Sequence, residues 1–167
     1  DGTGTAATPI TRPELSNLTI VGRDNLAGTF RGARFRRNTD LRMRNSIIMA
    51  YPTAGATFEA TYLTGTTQAS AFYRDNATHG TTTAFVYGAP TTGPVGLNNL
   101  SATGSTPTNW LNNYNAAIAS YKSSALVYNA TGPCAPANKA PNFTGMSSQM
   151  LNVPYIGALG PGSPIRV

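Results

Sequence analysis

Charge is scarce in this 167-residue sequence. Asp, Glu, Lys and Arg make up 11% of it and only six residues are acidic, whereas about 25% of an ordinary soluble domain is charged. A glycoside hydrolase needs two carboxylates facing each other across a sugar. A Ca²⁺-dependent polysaccharide lyase needs several around its metal. Asp1, Glu14, Asp24, Asp40, Glu59 and Asp75 form no cluster in the sequence; only Glu59 and Asp75 sit well inside predicted strands or at their ends, and they read as surface carboxylates. The single histidine, His79, precedes Gly80 at a predicted turn. Without a second imidazole it reads as a turn residue rather than a metal ligand or proton relay. Cys134, the only cysteine, lies between Pro133 and Pro136; it cannot close an intrachain disulfide, and no partnering pattern marks it as a nucleophile. No apolar run approaches the ~20 residues of a membrane span, the nearest being Ser46 to Ala50. The sequence opens at Asp1 without an initiating Met or a signal peptide, which reads as a processed or partial chain. No catalytic residues, cofactor or metal follow from this inventory.

Thr, Asn, Ser, Gly and Ala fill the space left by charge. Thr favours strands, and Asn and Gly favour turns, so the composition points to an extracellular or cell-surface β-protein. The length suits one domain with a core of its own. Residues 1–13 read as a flexible lead-in and residues 14–167 as a single β-rich domain. Short runs with stops between them predict strands over 15–21, 29–36, 41–49, 56–63 and 82–87, with another beginning at Ser70. Residues 89–108 read as a long loop. Trp110, Tyr114, Ile118 and Tyr121 fall on one helical face and predict a helix over 109–123. The Pro- and Gly-rich stretch 131–167 predicts an irregular tail that wraps the surface.

Three segments stack by eye: Leu15 to Gly22, Met43 to Ala50 and Tyr73 to Gly80, with Asn17, Asn45 and Asn76 as the repeated position. A period of this size suggests a solenoid, and stacked Asn side chains can hydrogen-bond along such a column. The order Glu14-Leu-Ser-Asn-Leu-Thr-Ile-Val-Gly22, Gly32-Ala-Arg-Phe-Arg-Arg-Asn38 and Leu41-Arg-Met-Arg-Asn-Ser-Ile-Ile-Met-Ala-Tyr-Pro52 resembles the C-terminal coils of secreted, pectate-lyase-like, right-handed parallel β-helix proteins of Bacteroidota type. Trp110 with the helix-like stretch after it, and Tyr155 to Gly160, resemble that family's closing segment. The resemblance implies a short right-handed parallel β-helix that is secreted or surface-attached, often part of a larger chain, and mostly without a defined activity. From the residues alone, a β-sandwich or jelly roll is the alternative.

The net charge of +6 is concentrated in one place: Arg31, Arg34, Arg36, Arg37, Arg42 and Arg44 lie within fourteen positions. Strand alternation puts Phe35 and Met43 on one face and Arg34, Arg36, Arg42 and Arg44 on the other. These four are therefore expected to face solvent and to form an anion-binding surface, since guanidinium forks grip carboxylate, sulfate and phosphate. The opposing expectation is that they pair with the chain's own carboxylates. The function expected is a non-catalytic structural or adhesive protein that self-assembles and binds anionic polysaccharide. The alternative is a carbohydrate-active enzyme, or a binding module derived from one. Partners are other copies or other chains of an assembly; nucleic acid is disfavoured, because no groove-entering helix or stacking motif is present.

Overall fold

A computed structural model of the chain describes residues 12–22, 27–36, 41–59, 72–80, 82–87, 100–103, 111–112, 127–128 and 140–158. These residues are all-β, with short, mostly parallel strands and no helix. Nine strands come in three successive groups: β1 (Glu14–Ser16), β2 (Thr19–Val21) and β3 (Arg31–Phe35); β4 (Arg42–Arg44), β5 (Ile47–Tyr51) and β6 (Ala54–Phe58); β7 (Phe72–Tyr73), β8 (Ala77–Gly80) and β9 (Thr83–Tyr87). Each strand of the first two groups pairs in parallel with the strand three places on, giving sheets ordered β1-β4-β7, β2-β5-β8 and β3-β6-β9. β10 (Leu100–Thr103) extends the second sheet beyond β8, again in parallel. This pairing differs from that of an antiparallel sandwich or jelly roll.

Register follows the sequence closely. Leu15 lies beside Met43 and Met43 beside Tyr73, Ile20 lies beside Ile48 and Ile48 beside Thr78, and Phe35 lies beside Phe58 and Phe58 beside Tyr87. Leu15, Met43 and Tyr73, Ile20 and Ile48, and Phe35 and Phe58 thus stack apolar on apolar, and Met43, Tyr73, Ile48, Phe35 and Phe58 are buried. Phe35 and Phe58 lie face to face with centroids 4.8 Å apart, and Tyr73 packs its ring against Phe58 at 5.3 Å. The core is made of Phe35, Leu41, Met43, Ile48, Ala56, Phe58 and Tyr73. The expected inward placement of Phe35 and Met43 is what the structure has. Parallel strands are ordinarily covered on both faces, and every residue of β6 is buried accordingly.

The strands expected over 15–21 and 41–49 are each broken in two. Asn17 and Asn45 sit at the breaks with φ of 55° and 54°, a left-handed conformation that Asn tolerates better than most residues; Ala50, at φ 65° within β5, marks the irregularity in the pairing of β5 with β8. In the third group the same φ, 56°, belongs to Asp75. The repeated corner position is therefore Asn17, Asn45 and Asp75, which corrects the alignment that used Asn76.

Part of the predicted helix over 109–123 is overturned. Leu111–Asn112 is a strand, β11, paired antiparallel with β12 (Val127–Tyr128); the rest of that range lies outside the described residues. Its Asn-rich sequence has weak helix propensity, and a tertiary β pairing outweighs the aromatic spacing. Residues 140–158 carry turns only. Among the described residues no helix is long and apolar enough to cross a membrane.

Candidate binding face and polar corner

The four arginines are distributed unequally. Arg34 and Arg36 flank inward-facing Phe35 and are half-exposed, as expected. Both address one carboxylate. Arg34 Nε donates to Glu59 Oε1 at 2.6 Å, and Arg36 Nε lies 3.7 Å from Glu59 Oε2. Arg42 is about one-third exposed and donates to Glu14 Oε1 at 3.0 Å. Arg44 contradicts the solvent-facing expectation, because its side chain is only 6% exposed and it holds Asp75 Oδ2 at 2.7 Å. β4 is the central strand of its sheet, so Arg44 is flanked by the groups before and after it, and the left-handed corner brings the Asp75 carboxylate within reach. Burial pulls the Arg44 guanidinium below its ordinary value; Asp75 opposes this and Arg74 adds to it. Arginine nevertheless stays protonated. Alternation gives the direction of Arg44 but not the neighbours that cover it.

The three described carboxylates are thus all committed to arginines. Glu59 and Asp75 do not face each other as an acid–base pair; each belongs to a separate ion pair. Among the described residues no group of His, Cys, Asp and Glu is arranged to hold a metal ion.

The corner of the fold is polar. Asn17 and Asn45 are joined through the Ser16 hydroxyl, which accepts from Asn45 Nδ2 at 3.2 Å and donates to Asn17 Oδ1 at 2.7 Å. One position further along, the Ser46 hydroxyl accepts from the Leu18 N–H, and the Asn76 side chain accepts from the Ser46 N–H and donates to the Met43 carbonyl. The link from Asn17 to Asn45 therefore runs through a serine, and Asn76, the third Asn of the expected column, sits one position past the corner and bonds backbone groups of Ser46 and Met43.

Sequence reasoning missed what this corner holds. Residues 140–158 form a strap across the first two groups of strands. Asn45 exchanges two hydrogen bonds with the backbone of Asn142, Asn17 Nδ2 donates to the Tyr155 carbonyl at 2.9 Å, and the Ala158 N–H donates to Thr19 Oγ1 at 3.0 Å. Glu14 also accepts from the Ser147 N–H at 2.7 Å. Ile156 is buried, and Gly157 lies against Ile47. This explains the complete burial of Ile47, whose neighbour Ile48 belongs to the interior. Between strap and corner lies a groove of about 240 Å³, lined by Ser16, Asn17, Met150, Val153 and Tyr155 among others. The contacts join residues 97 to 139 positions apart, beyond the reach of local periodicity.

Short, mostly parallel strands, all-β among the described residues, with a polar, strapped corner are as far as fold and site define the class. Compared with known protein families, curated proteins and solved structures, the chain matches none.

Proposed function

We propose that this chain is a non-catalytic structural module, a short right-handed parallel β-helix of the kind found in the C-terminal coils of secreted pectate-lyase-like proteins, working outside the cell or at its surface. The observation that carries the reading is the threefold recurrence of one strand order with parallel pairing from group to group and a left-handed corner at Asn17, Asn45 and Asp75. Such a stack is extended by adding layers and offers backbone edges at its ends, which suits assembly. The non-catalytic half of the reading is supported by the commitment of Glu14, Glu59 and Asp75 to arginines. The competing reading, a carbohydrate-active enzyme or a module derived from one, lacks a facing carboxylate pair among these residues.

Binding of anionic polysaccharide rests on a smaller patch than the arginine count implied. Arg34 and Arg36 share one carboxylate, which leaves one positive charge in excess at a half-exposed site, whereas Arg44 is buried and serves the fold. The test is the purified chain incubated with polyuronate and sulfated polysaccharides, together with negative-stain imaging. The expected result is particles or oligomers without depolymerised sugar. A stable monomer that cleaves the polymer overturns the proposal. Retention on a heparin column should weaken in Arg34→Gln/Arg36→Gln and fall with salt, since exposed charges are screened over ~8 Å at physiological ionic strength.

A further inference from the structure

An Asn-X-Ser/Thr triplet, with X other than Pro, is the acceptor pattern for an N-linked sugar. The sequence carries it at Asn17, Asn76, Asn99, Asn129 and Asn142. Transfer needs the Asn amide nitrogen and the hydroxyl two residues on together at the surface. Asn99 and Asn129 lie outside the described residues. The fold closes two of the other three. Asn17 Nδ2 donates to the Tyr155 carbonyl at 2.9 Å, and the Thr19 hydroxyl oxygen accepts from the Ala158 N–H at 3.0 Å, so both groups of that triplet are engaged under the strap. Asn76 and Thr78 are both at 0% exposure. Asn76 Nδ2 donates to the Met43 carbonyl at 3.1 Å, and the Thr78 hydroxyl bonds the Tyr73 hydroxyl at 2.5 Å.

Asn142-Phe143-Thr144 is placed differently. Asn142 is half-buried and Thr144 exposed. Asn142 meets Asn45 through its backbone N–H and carbonyl alone. Its Oδ1 accepts from the Thr144 N–H at 2.9 Å, an Asx turn, and the Phe143 carbonyl accepts from the Met146 N–H at 3.0 Å to close the next turn. No described residue accepts a hydrogen bond from Asn142 Nδ2. The Asx turn therefore holds Asn142 and Thr144 beside each other at the surface with the amide nitrogen uncommitted. We propose that Asn142 is the described asparagine that accepts an N-linked glycan in the folded chain, from a donor of the lipid-pyrophosphate oligosaccharide class. In the transfer, Nδ2 forms a bond to the anomeric carbon of the sugar, and the bond from that carbon to the pyrophosphate oxygen breaks. The pyrophosphate leaves with the electron pair, and one amide proton passes to a base of the transferase. The backbone pairing with Asn45 is untouched by this substitution, so the strap keeps its anchor. The proposal rests on the extracellular reading given above for the chain's access to such a donor.

The experiment incubates the folded 167-residue chain with a purified oligosaccharyltransferase and a lipid-pyrophosphate oligosaccharide, and follows each triplet by peptide mapping and mass spectrometry. Synthetic peptides of sequence 14–22, 73–81 and 139–147 run alongside and report what the enzyme does with each triplet free of the fold. All three peptides should be glycosylated. In the folded chain Asn142 should be modified, and Asn17 and Asn76 at least about ten-fold more slowly, since each has to be exposed by local opening first. Thr144→Ala should abolish transfer to Asn142 while residues 140–158 stay as resistant to proteolysis as in wild type, because the Asx turn uses the Thr144 N–H and not its hydroxyl. An unmodified Asn142 in the folded chain overturns the proposal, whether or not peptide 139–147 is accepted. So does modification of Asn17 or Asn76 at the rate of Asn142, or full transfer to the Thr144→Ala chain. The reaction is run on purified protein, so the two readings fail separately. A chain retained inside the cell sinks the extracellular reading and leaves the acceptor result standing, whereas an unmodified Asn142 sinks the acceptor alone.

Discussion

Asn45 and Asn142 pair as two peptide groups would: Asn45 Oδ1 accepts from the Asn142 N–H at 2.7 Å, and Asn45 Nδ2 donates to the Asn142 carbonyl at 3.0 Å. The same residue turns the chain between β4 and β5 with φ of 54°, and its own carbonyl accepts from the Gly157 N–H at 2.6 Å. One side chain therefore sets the corner and anchors the strap at once.

Two substitutions separate these roles. Asn45→Gly keeps the left-handed turn and loses the side-chain bonds, whereas Asn45→Ala loses both. Placing Ala in that conformation costs roughly 1–2 kcal/mol, and each lost hydrogen bond about 1 kcal/mol. The expected order of stability in urea is wild type, then Gly, then Ala, with Ala at least about 1 kcal/mol below Gly. Both variants should release residues 140–158 to limited proteolysis sooner than wild type. Equal stability of the two variants would show that the conformation of Asn45 contributes nothing.

Arg44 and Asp75 form the buried pair. Removing one partner of such a pair typically costs about 3–5 kcal/mol, because the other charge stays buried, while replacing both by groups of similar volume is often close to neutral. Asp75→Asn suits the left-handed corner and removes the charge alone; it is expected to lose about 3 kcal/mol. Arg44→Met/Asp75→Asn should recover most of that. A double-mutant cycle in urea reads the coupling directly. Additive losses would mean that the ion pair is incidental to the fold.

Tyr51 titrates late. Burial alone raises its phenol above the ordinary value of 10. The folded chain then keeps the proton at pH values where the unfolded chain has lost it. Below pH 10 both states hold the proton and the contribution to stability is complete; as pH rises from there through the folded value, that contribution is lost. Stability measured from pH 8 to 11.5 should fall on the alkaline side, and Tyr51→Phe should flatten part of the slope. An unchanged slope in the variant would assign the alkaline loss to other groups.

How far the sequence could be read depended on which neighbours each residue has. Alternation placed Phe35 and Met43 inside, because period 2 is a property of the strand itself. The corners at Asn17 and Asn45 lay within view as repeated Asn residues, but a turn of one residue leaves the surrounding apolar pattern unbroken, so each corner was read through as a single strand. In the third layer the choice between Asp75 and Asn76 needed the register, which parallel pairing sets and spacing alone does not. The fate of Arg44 depended on Asp75, 31 positions away. The candidate face was hardest to read for the same reason: Glu14, Glu59 and Asp75 neutralise it from other layers. The strap could not be read at all, since its composition predicts irregular chain and says nothing of where that chain docks.

Gly157 offers the sharpest test of the strap. It takes φ of 82°, and a Cβ placed there would lie 2.7 Å from Ile47 Cδ1 and 2.9 Å from Thr19 Oγ1. Ala at this position meets both a disfavoured backbone conformation and two contacts too short to keep. The parallel sheets beneath do not depend on Gly157, so Gly157→Ala should dislodge the strap rather than unfold the layers. The expected signature is faster hydrogen exchange and earlier proteolysis within 140–158, with exchange at β5 and β6 little changed and a loss of about 1–3 kcal/mol in global stability. Thr19→Ser/Gly157→Ala relieves neither the backbone strain nor the Ile47 contact and should behave like the single variant. Ile47→Val/Gly157→Ala removes the Cδ1 methyl and should recover part of the loss. Wild-type protection of residues 140–158 in Gly157→Ala would mean that the strap does not depend on its seat against Ile47.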